Sequence, residues 1–305
     1  MPARSSASPN HIKEVNVRYH DATASEYDSK WGIDFGPIGQ EQVRGKIVKA
    51  LGEWPADPFG DALEIGSGTG YFSLNLLQLG AIERLAATDI SPEMLTTLAE
   101  TARRLDLAVE TRVTDAEALP FADESFDLVF GHAVLHHLPD LDQALSEFHR
   151  VLRPGGAIAF CGEPSRYGDL LAALPKRGAQ LAAPLWRLVL GASVRRPDAE
   201  VNGDGHELEP EVDVHAFAPS LLERVIGDAG FTKTRISGEE LLANVYGWAV
   251  RTLEGSAEPD NVPYRWRELA FRGYIALQRV DTALLEPRLP PSLFYNLVLS
   301  ARKPA

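Results

Sequence analysis

Leu63–Glu64–Ile65–Gly66–Ser67–Gly68–Thr69–Gly70–Tyr71–Phe72 passes from an apolar run through three alternating glycines into an apolar helical pattern. Glycine at every second position lets the backbone turn sharply and leaves no Cβ between it and a ligand. The spacing predicts a strand over Ala62–Ile65, a tight turn, and a helix over 70–79. One acid, Glu64, stands two residues before the first glycine. Another, Asp89, stands near the end of the next apolar run, Arg84–Ile90, nineteen residues after Gly70. A carboxylate at the end of a second strand can accept both ribose hydroxyls of an adenosine, so the pair predicts a nucleoside site.

Working outward, short apolar runs alternate with helical patterns. Val43, Ile47 and Leu51 recur at helical spacing over 39–52, with Gly52 as a stop. Ser91–Pro92–Glu93 opens a helix with a hydroxyl cap, a first-turn proline and an acid. Val109–Val113, Phe126–Phe130 and Ala157–Cys161 read as further strands. Helix 140–152 precedes the last of them, closed by a turn at Arg153–Pro154–Gly155–Gly156. Helix 219–229, strand 231–236 and a final strand over Leu293–Ser300 follow. Strands alternating with helices predict parallel strands joined by crossovers, an α/β layered sheet. Two long stretches, 163–218 and 238–291, interrupt the alternation and carry helical patterns of their own. They are expected to be inserted elements rather than structureless loops.

The glycine spacing discriminates between nucleosides. A dinucleotide site would follow GxGxxG and reserve the helix start for pyrophosphate; here the third glycine falls one residue early, and Glu64 would sit beside the phosphates. A ligand carrying an ammonium and a sulfonium tolerates that acid. Glu64-x-Gly66-x-Gly68-x-Gly70 resembles the first motif of class I S-adenosylmethionine-dependent methyltransferases. Four further segments match that superfamily in order: Thr88–Asp89–Ile90–Ser91–Pro92–Glu93–Met94–Leu95, Thr114–Asp115–Ala116–Glu117–Ala118–Leu119–Pro120–Phe121, Phe126–Asp127–Leu128–Val129 through Leu135–His136–His137–Leu138, and Arg150–Val151–Leu152–Arg153–Pro154–Gly155–Gly156. Tyr19 and Ala24–Ser25–Glu26–Tyr27–Asp28 are similar to the N-terminal cap of its ubiquinone/menaquinone-biosynthesis-type branch.

The resemblance implies a doubly wound, seven-stranded, mostly parallel Rossmann-like sheet with the last strand antiparallel and two helical insertions. It divides the chain into a tail (1–14), a helical cap (15–60), a cofactor-binding core (61–162), a lid insertion (163–218), a core helix and strand (219–237), a second insertion (238–291) and a final strand with its tail (292–305). It further implies S-adenosylmethionine as cofactor, with Glu64, Gly66, Ser67, Gly68 and Gly70 along its methionine part and Asp89 on the ribose, in an open cleft. Ile90 and Met94 would pack on the adenine, Asp115 would accept its amino group, and Ala116 would add a backbone contact. Gly131 would offer a carbonyl to the ammonium, and Tyr27 would close over the site. His136 and His137, which with His132 cluster after the fourth strand, are the candidate bases for an acceptor that must lose a proton.

Composition bounds the rest. The 305 residues are 24% charged and 45% hydrophobic, with 30 Lys+Arg against 43 Asp+Glu, a net charge of -13. That balance argues against a general nucleic-acid binder and for a cytoplasmic protein acting on a small or lipophilic acceptor. The single Cys161 reads as a buried hydrophobe. His206 and His215, among Glu207, Glu209, Glu211 and Asp213, fit no compact metal motif, so no metal is expected. From Arg166 to Arg196 six basic residues meet one acid, Asp169, with leucines interleaved; Asp198 to Asp213 then carries seven acids and no base. The basic segment suits a lid over an anionic lipophilic substrate or a peripheral membrane contact, or packs its leucines on the core and pairs its arginines with the acidic block; the two insertions together suit either a lid or an oligomer interface. Two other functions compete: an NAD(P)-binding oxidoreductase, and a non-catalytic S-adenosylmethionine-binding or interaction protein.

Overall fold

The computed structural model describes residues 8–24, 27–28, 32–195 and 215–305. Seven strands form one sheet in the order β3-β2-β1-β4-β5-β7-β6: β1 Phe59–Ile65, β2 Ile82–Asp89, β3 Glu110–Val113, β4 Phe126–His132, β5 Leu152–Pro164, β6 Thr232–Glu239 and β7 Asn296–Arg302. The β1–β2, β1–β4, β2–β3 and β4–β5 pairs are parallel. β7 runs against β5: Gly155 pairs with Lys303 at one end and Ser165 with Tyr295 at the other. β7 begins three residues beyond Leu293 because Pro291–Leu293 form a short helical turn.

The sheet centre is apolar because its parallel strands are covered on both faces. Leu63, Val129, Phe130, Ile158, Phe160 and Val298 are all buried. Helices α2 (Pro37–Leu51), α3 (Tyr71–Gln78) and α4 (Pro92–Arg104) present Val43, Ile47, Phe72, Leu74, Leu95 and Leu98 to that core. Gly52 ends α2 in the left-handed conformation, its N–H bonding the Val48 carbonyl. Ser91 starts α4 by accepting from Met94 N, and Asp140 caps α5 (Leu141–Val151) through Gln143 N.

Two expectations need correction. Residues 9–14, assigned to a tail, are the first turns of helix α1 (Pro9–Thr23). Ser8 caps His11 N, Pro9 is pre-set for a first turn, and Ile12, Val15 and Tyr19 bury one stripe, so a polar-looking segment folds by packing. Arg153–Gly156 is no separate turn before β5. Phe126 pairs with Leu152 and Leu128 with Ala157, so four residues bulge out opposite one.

The described residues divide into two compact units. The first takes in residues up to Glu163, 215–236 and Val298–Ala305; the second takes in 164–195 and Ser237–Leu297. Helix α7 (Pro219–Asp228) belongs to the first. The second is built on α6 (Gly168–Leu190), α8 (Leu242–Glu254) and α9 (Tyr264–Val280). Within it Trp186 meets Trp266 edge-on, and buried Asp281 caps α8 by accepting from Leu242 N and Ala243 N.

The glycines of the first turn are not interchangeable with ordinary helix glycines. Gly70 has φ +91°, and a Cβ there would lie 2.9 Å from Leu74 and Leu98 side-chain atoms. Gly70→Ala is expected to lose about 2–4 kcal/mol in urea unfolding. Gly45→Ala, inside α2 with nothing within 4 Å, should gain ~0.5–1 kcal/mol.

Candidate active site

An open cleft lies in the first unit, at the carboxyl ends of the parallel strands, where open α/β sheets bind ligands. Its floor is the glycine turn. Gly66 (φ +61°) approaches Val134 so closely that a Cβ would sit 2.3 Å from Val134 Cγ2. Gly68 (φ +51°) faces empty space, with nothing within 4 Å of the corresponding position. The first permits packing and the second keeps a cradle open.

Asp89 holds this turn in place. Its Oδ2 accepts from Gly68 N at 2.8 Å and its Oδ1 from Ser91 N at 2.9 Å, while Ser67 N bonds the Thr88 carbonyl. The carboxylate is buried and joins the loops after β1 and β2, rather than standing in an open cleft as expected. Ser91 Oγ in turn donates to Asp21 Oδ1 at 2.6 Å, and Thr69 Oγ1 to Asp28 Oδ1 at 2.6 Å, tying the N-terminal segment to both loops. Lys13 of α1 closes the far end: its Nζ donates to Asp115 Oδ2 at 2.6 Å and to Glu117 Oε2. Asn16 and His20 of the same helix line the cleft, as does Tyr27, whose phenol is raised by burial first and then by Tyr19, Asp89 and Asp28.

The opposite wall follows β4. Glu163, buried at the end of β5, accepts from Val134 N (2.9 Å), Leu135 N (3.0 Å) and His136 N (3.2 Å), and its Oε2 lies 2.9 Å from His136 Nδ1. The backbone turn Leu135–His137 thus winds around one carboxyl group. The His136 ring packs 3.9 Å, centroid to centroid, from His137, which meets His20 at 5.7 Å. His215 braces the same turn, with its N on the His136 carbonyl and its Nε2 3.0 Å from the Leu138 carbonyl.

Of the expected site residues, Tyr27, Gly66, Gly68, Asp89, Ile90, Asp115, Ala116 and His137 line the cleft. The others stand outside its lining. Met94 is fully buried among core side chains of α4, with Leu95 and Leu98 beside it. Gly70 packs on Leu74 and Leu98, and Gly131 is pressed between Val134 and the Ile65 carbonyl. His136 is buried behind His137. Glu64 and Ser67 are buried beneath the turn, and Glu64 Oε2 and Ser67 Oγ have no hydrogen-bond partner among the described residues. Burial pushes the Glu64 carboxyl up to about 8, with Ser73 opposing the rise and the Asp89 charge adding to it.

Sequence reasoning missed Lys13, Asn16, His20 and Glu163. His206, Glu207, Glu209, Glu211 and Asp213 lie outside the described residues. Among those described, no trio of His, Cys, Asp and Glu could hold a metal ion, and no helix is long and apolar enough to cross a membrane.

Residues 63–160 match the family model for a methyltransferase domain. A malonyl-[acyl-carrier protein] O-methyltransferase of Methylococcus capsulatus is 33% identical over 205 residues, 67% of this chain and 61% of that protein. Matches to the same enzyme of Serratia marcescens and Yersinia pestis span 42% and 34% of those proteins, so the chain covers less than two thirds of each of these relatives. Among solved structures, Haemonchus contortus phosphoethanolamine N-methyltransferase 2 in complex with S-adenosyl-L-methionine is similar with a TM-score of 0.61 at 16% identity, over 99% of this chain and 61% of that one. The [4+2]-cyclase SpnF is similar with a TM-score of 0.58 at 16% identity, over 98% of both. At such identity these likenesses establish the fold.

Two outcomes follow from the buried acids. Glu163→Gln, which replaces an all-acceptor carboxyl by an amide that must point one donor at donors, should cost ~2–4 kcal/mol in urea unfolding; a loss under ~1 kcal/mol would mean the turn holds itself. Glu64 has a folded value above its ordinary 4.5, so the folded state holds more protons between the two values. Stability should therefore fall as pH rises from about 4.5 to about 8, by up to ~1.4 kcal/mol per pH unit. The Glu64→Gln protein should lack this slope in melting curves taken across that window; parallel curves would contradict it.

Proposed function

Because the chain belongs to the class I S-adenosylmethionine-dependent methyltransferases, we propose that it transfers a methyl group from S-adenosylmethionine to a small or lipophilic acceptor. The observation that carries this reading is the cradle at Gly68, open to the cleft and aligned by the Asp89 carboxylate. The two buried polar atoms beneath it, Glu64 Oε2 and Ser67 Oγ, fit the same ligand. Glu64 keeps its proton in the free protein; a cationic ligand beside it favours the ionised form, which a pyrophosphate would oppose, so the residues present fit S-adenosylmethionine better than NAD(P).

The residues divide the work. Asp89 has spare lone pairs for ribose hydroxyls while both its oxygens stay fixed by backbone N–H groups. Ile90 and Ala116 flank the place for the adenine, and Asp115, held by Lys13, faces its edge. Bound there, the cofactor supplies an electrophilic methyl on a sulfonium. The protein's own task is then alignment and exclusion of water, which can account for much of the acceleration. His137, which lines the cleft with His20 and His132, is the expected base for a hydroxyl or amine acceptor; His136, tied to Glu163, steadies the turn from behind. The relatives named above act on malonyl-[acyl-carrier protein] and phosphoethanolamine, two unlike acceptors. The acceptor arrives from solution or from a bilayer to which the protein attaches peripherally. A cytoplasmic setting fits a single, buried cysteine, Cys161.

Calorimetry tests the reading. S-adenosylhomocysteine should bind and NAD(P) should not. Gly68→Leu, filling the cradle, should abolish binding, and Asp89→Asn should weaken it by about tenfold or more. Binding of NAD(P) but not S-adenosylhomocysteine to the unaltered protein would overturn the reading. Cofactor that binds but is never consumed with any acceptor would point to a binding protein.

A further inference from the structure

Helix α6 is built inside out. Its buried positions are alanines: Ala172, Ala179 and Ala183 are 3%, 6% and 3% exposed. Four of its leucines face solvent, Leu174, Leu181, Leu185 and Leu188, at 73%, 86%, 66% and 77%. At 100° per residue these four leucines fall within an arc of about 60°, opposite the alanines, and form a strip about 21 Å long. A helix that served only its own unit would bury the larger side chains, since burial favours Leu over Ala by roughly its extra methyl and methylene groups. A strip of this length marks an interaction surface.

Charge identifies what covers it. Residues 170–195 contain no acid and four bases, Lys176, Arg177, Arg187 and Arg195, in a chain of net charge -13. Helical spacing sets Arg177 at the edge of the leucine strip, and Arg177 and Arg195 are exposed. We propose that the outer face of α6 docks on an anionic lipid bilayer, with the leucines at the boundary between headgroups and acyl chains and Arg177 and Arg195 among the phosphates, while Lys176, over the Trp248 ring, and Arg187, on the Ser256 carbonyl, serve their own unit. A second copy of the chain is a poorer occupant. A two-fold contact would set the same basic segment against itself. The helix lies on a bilayer and does not span it: it carries three bases and the prolines Pro175 and Pro184.

This extends the peripheral-contact part of the functional reading and needs none of its cofactor chemistry. The test uses the full chain, sedimented with phosphatidylcholine vesicles or with vesicles also containing phosphatidylglycerol, alongside light scattering and the melting shift given by S-adenosylhomocysteine. Unaltered protein should sediment with the anionic vesicles alone, and less so at high salt. Leu181→Glu/Leu185→Glu should reduce the partition at least tenfold, and Arg177→Glu about fivefold, with the melting shift the same in all three. Sedimentation with neither vesicle, or equal sedimentation of all three proteins, would overturn the proposal. So would a dimer that the leucine variant converts to a monomer while no vesicle binds. A missing melting shift in every protein would instead count against the cofactor reading.

Discussion

The Asp89 carboxylate is the tie on which the cleft depends. One oxygen fixes Gly68, the other fixes Ser91, and Ser91 both starts α4 and anchors Asp21 of α1. Three elements that diverge from the sheet are thereby registered to within hydrogen-bond tolerance by a single side chain. Hydrogen bonds to a charged acceptor are roughly twice as strong as neutral ones. They matter here because Gly68, with a positive φ and no side chain, has no packing of its own to hold it.

Three buried acids in this unit behave differently because their neighbours differ. Asp89 and Glu163 each stand at the end of a parallel strand and gather backbone N–H groups from the loop beside it. Glu64 stands in the middle of the sheet end, where neighbouring amides are already used by strand pairing with Ala87 and Phe130. Few donors reach it, so burial dominates and its proton is held more tightly. The same side-chain chemistry yields two anchors and one reservoir of proton affinity.

Much of this was legible in the residues. The glycine turn, the acid ending β2, the capped start of α4 and the alternation of strands with helices gave the sheet and half the cleft wall. Local signals failed where packing overrode polarity. Residues 9–14 look like tail because the core stripe of α1 is only Ile12, Val15 and Tyr19 amid polar residues, which hid Lys13; Asn16 and His20 lie in the expected cap but carry no motif. Met94 was placed on the cofactor, although its spacing to Leu95, Leu98 and Ala102 belongs equally to a core face, and there it lies. Glu163 did carry a signal: it ends an apolar strand as Asp89 ends β2, and the same logic would have found it. Periodicity divides α6 into a leucine face and an alanine face without saying which one turns inward.

The strand order has a bearing on how the protein is made. β7, the last of the seven along the chain, lies between β5 and β6. Until residues 296–302 have left the ribosome, β5 keeps an open edge and β6 has no neighbour to pair with. Nearly 140 residues are synthesised while that gap persists, long enough for chaperones or stray strands to find it. Completion of the sheet thus waits for β7, and the nascent chain is most exposed to mispairing just before that strand emerges.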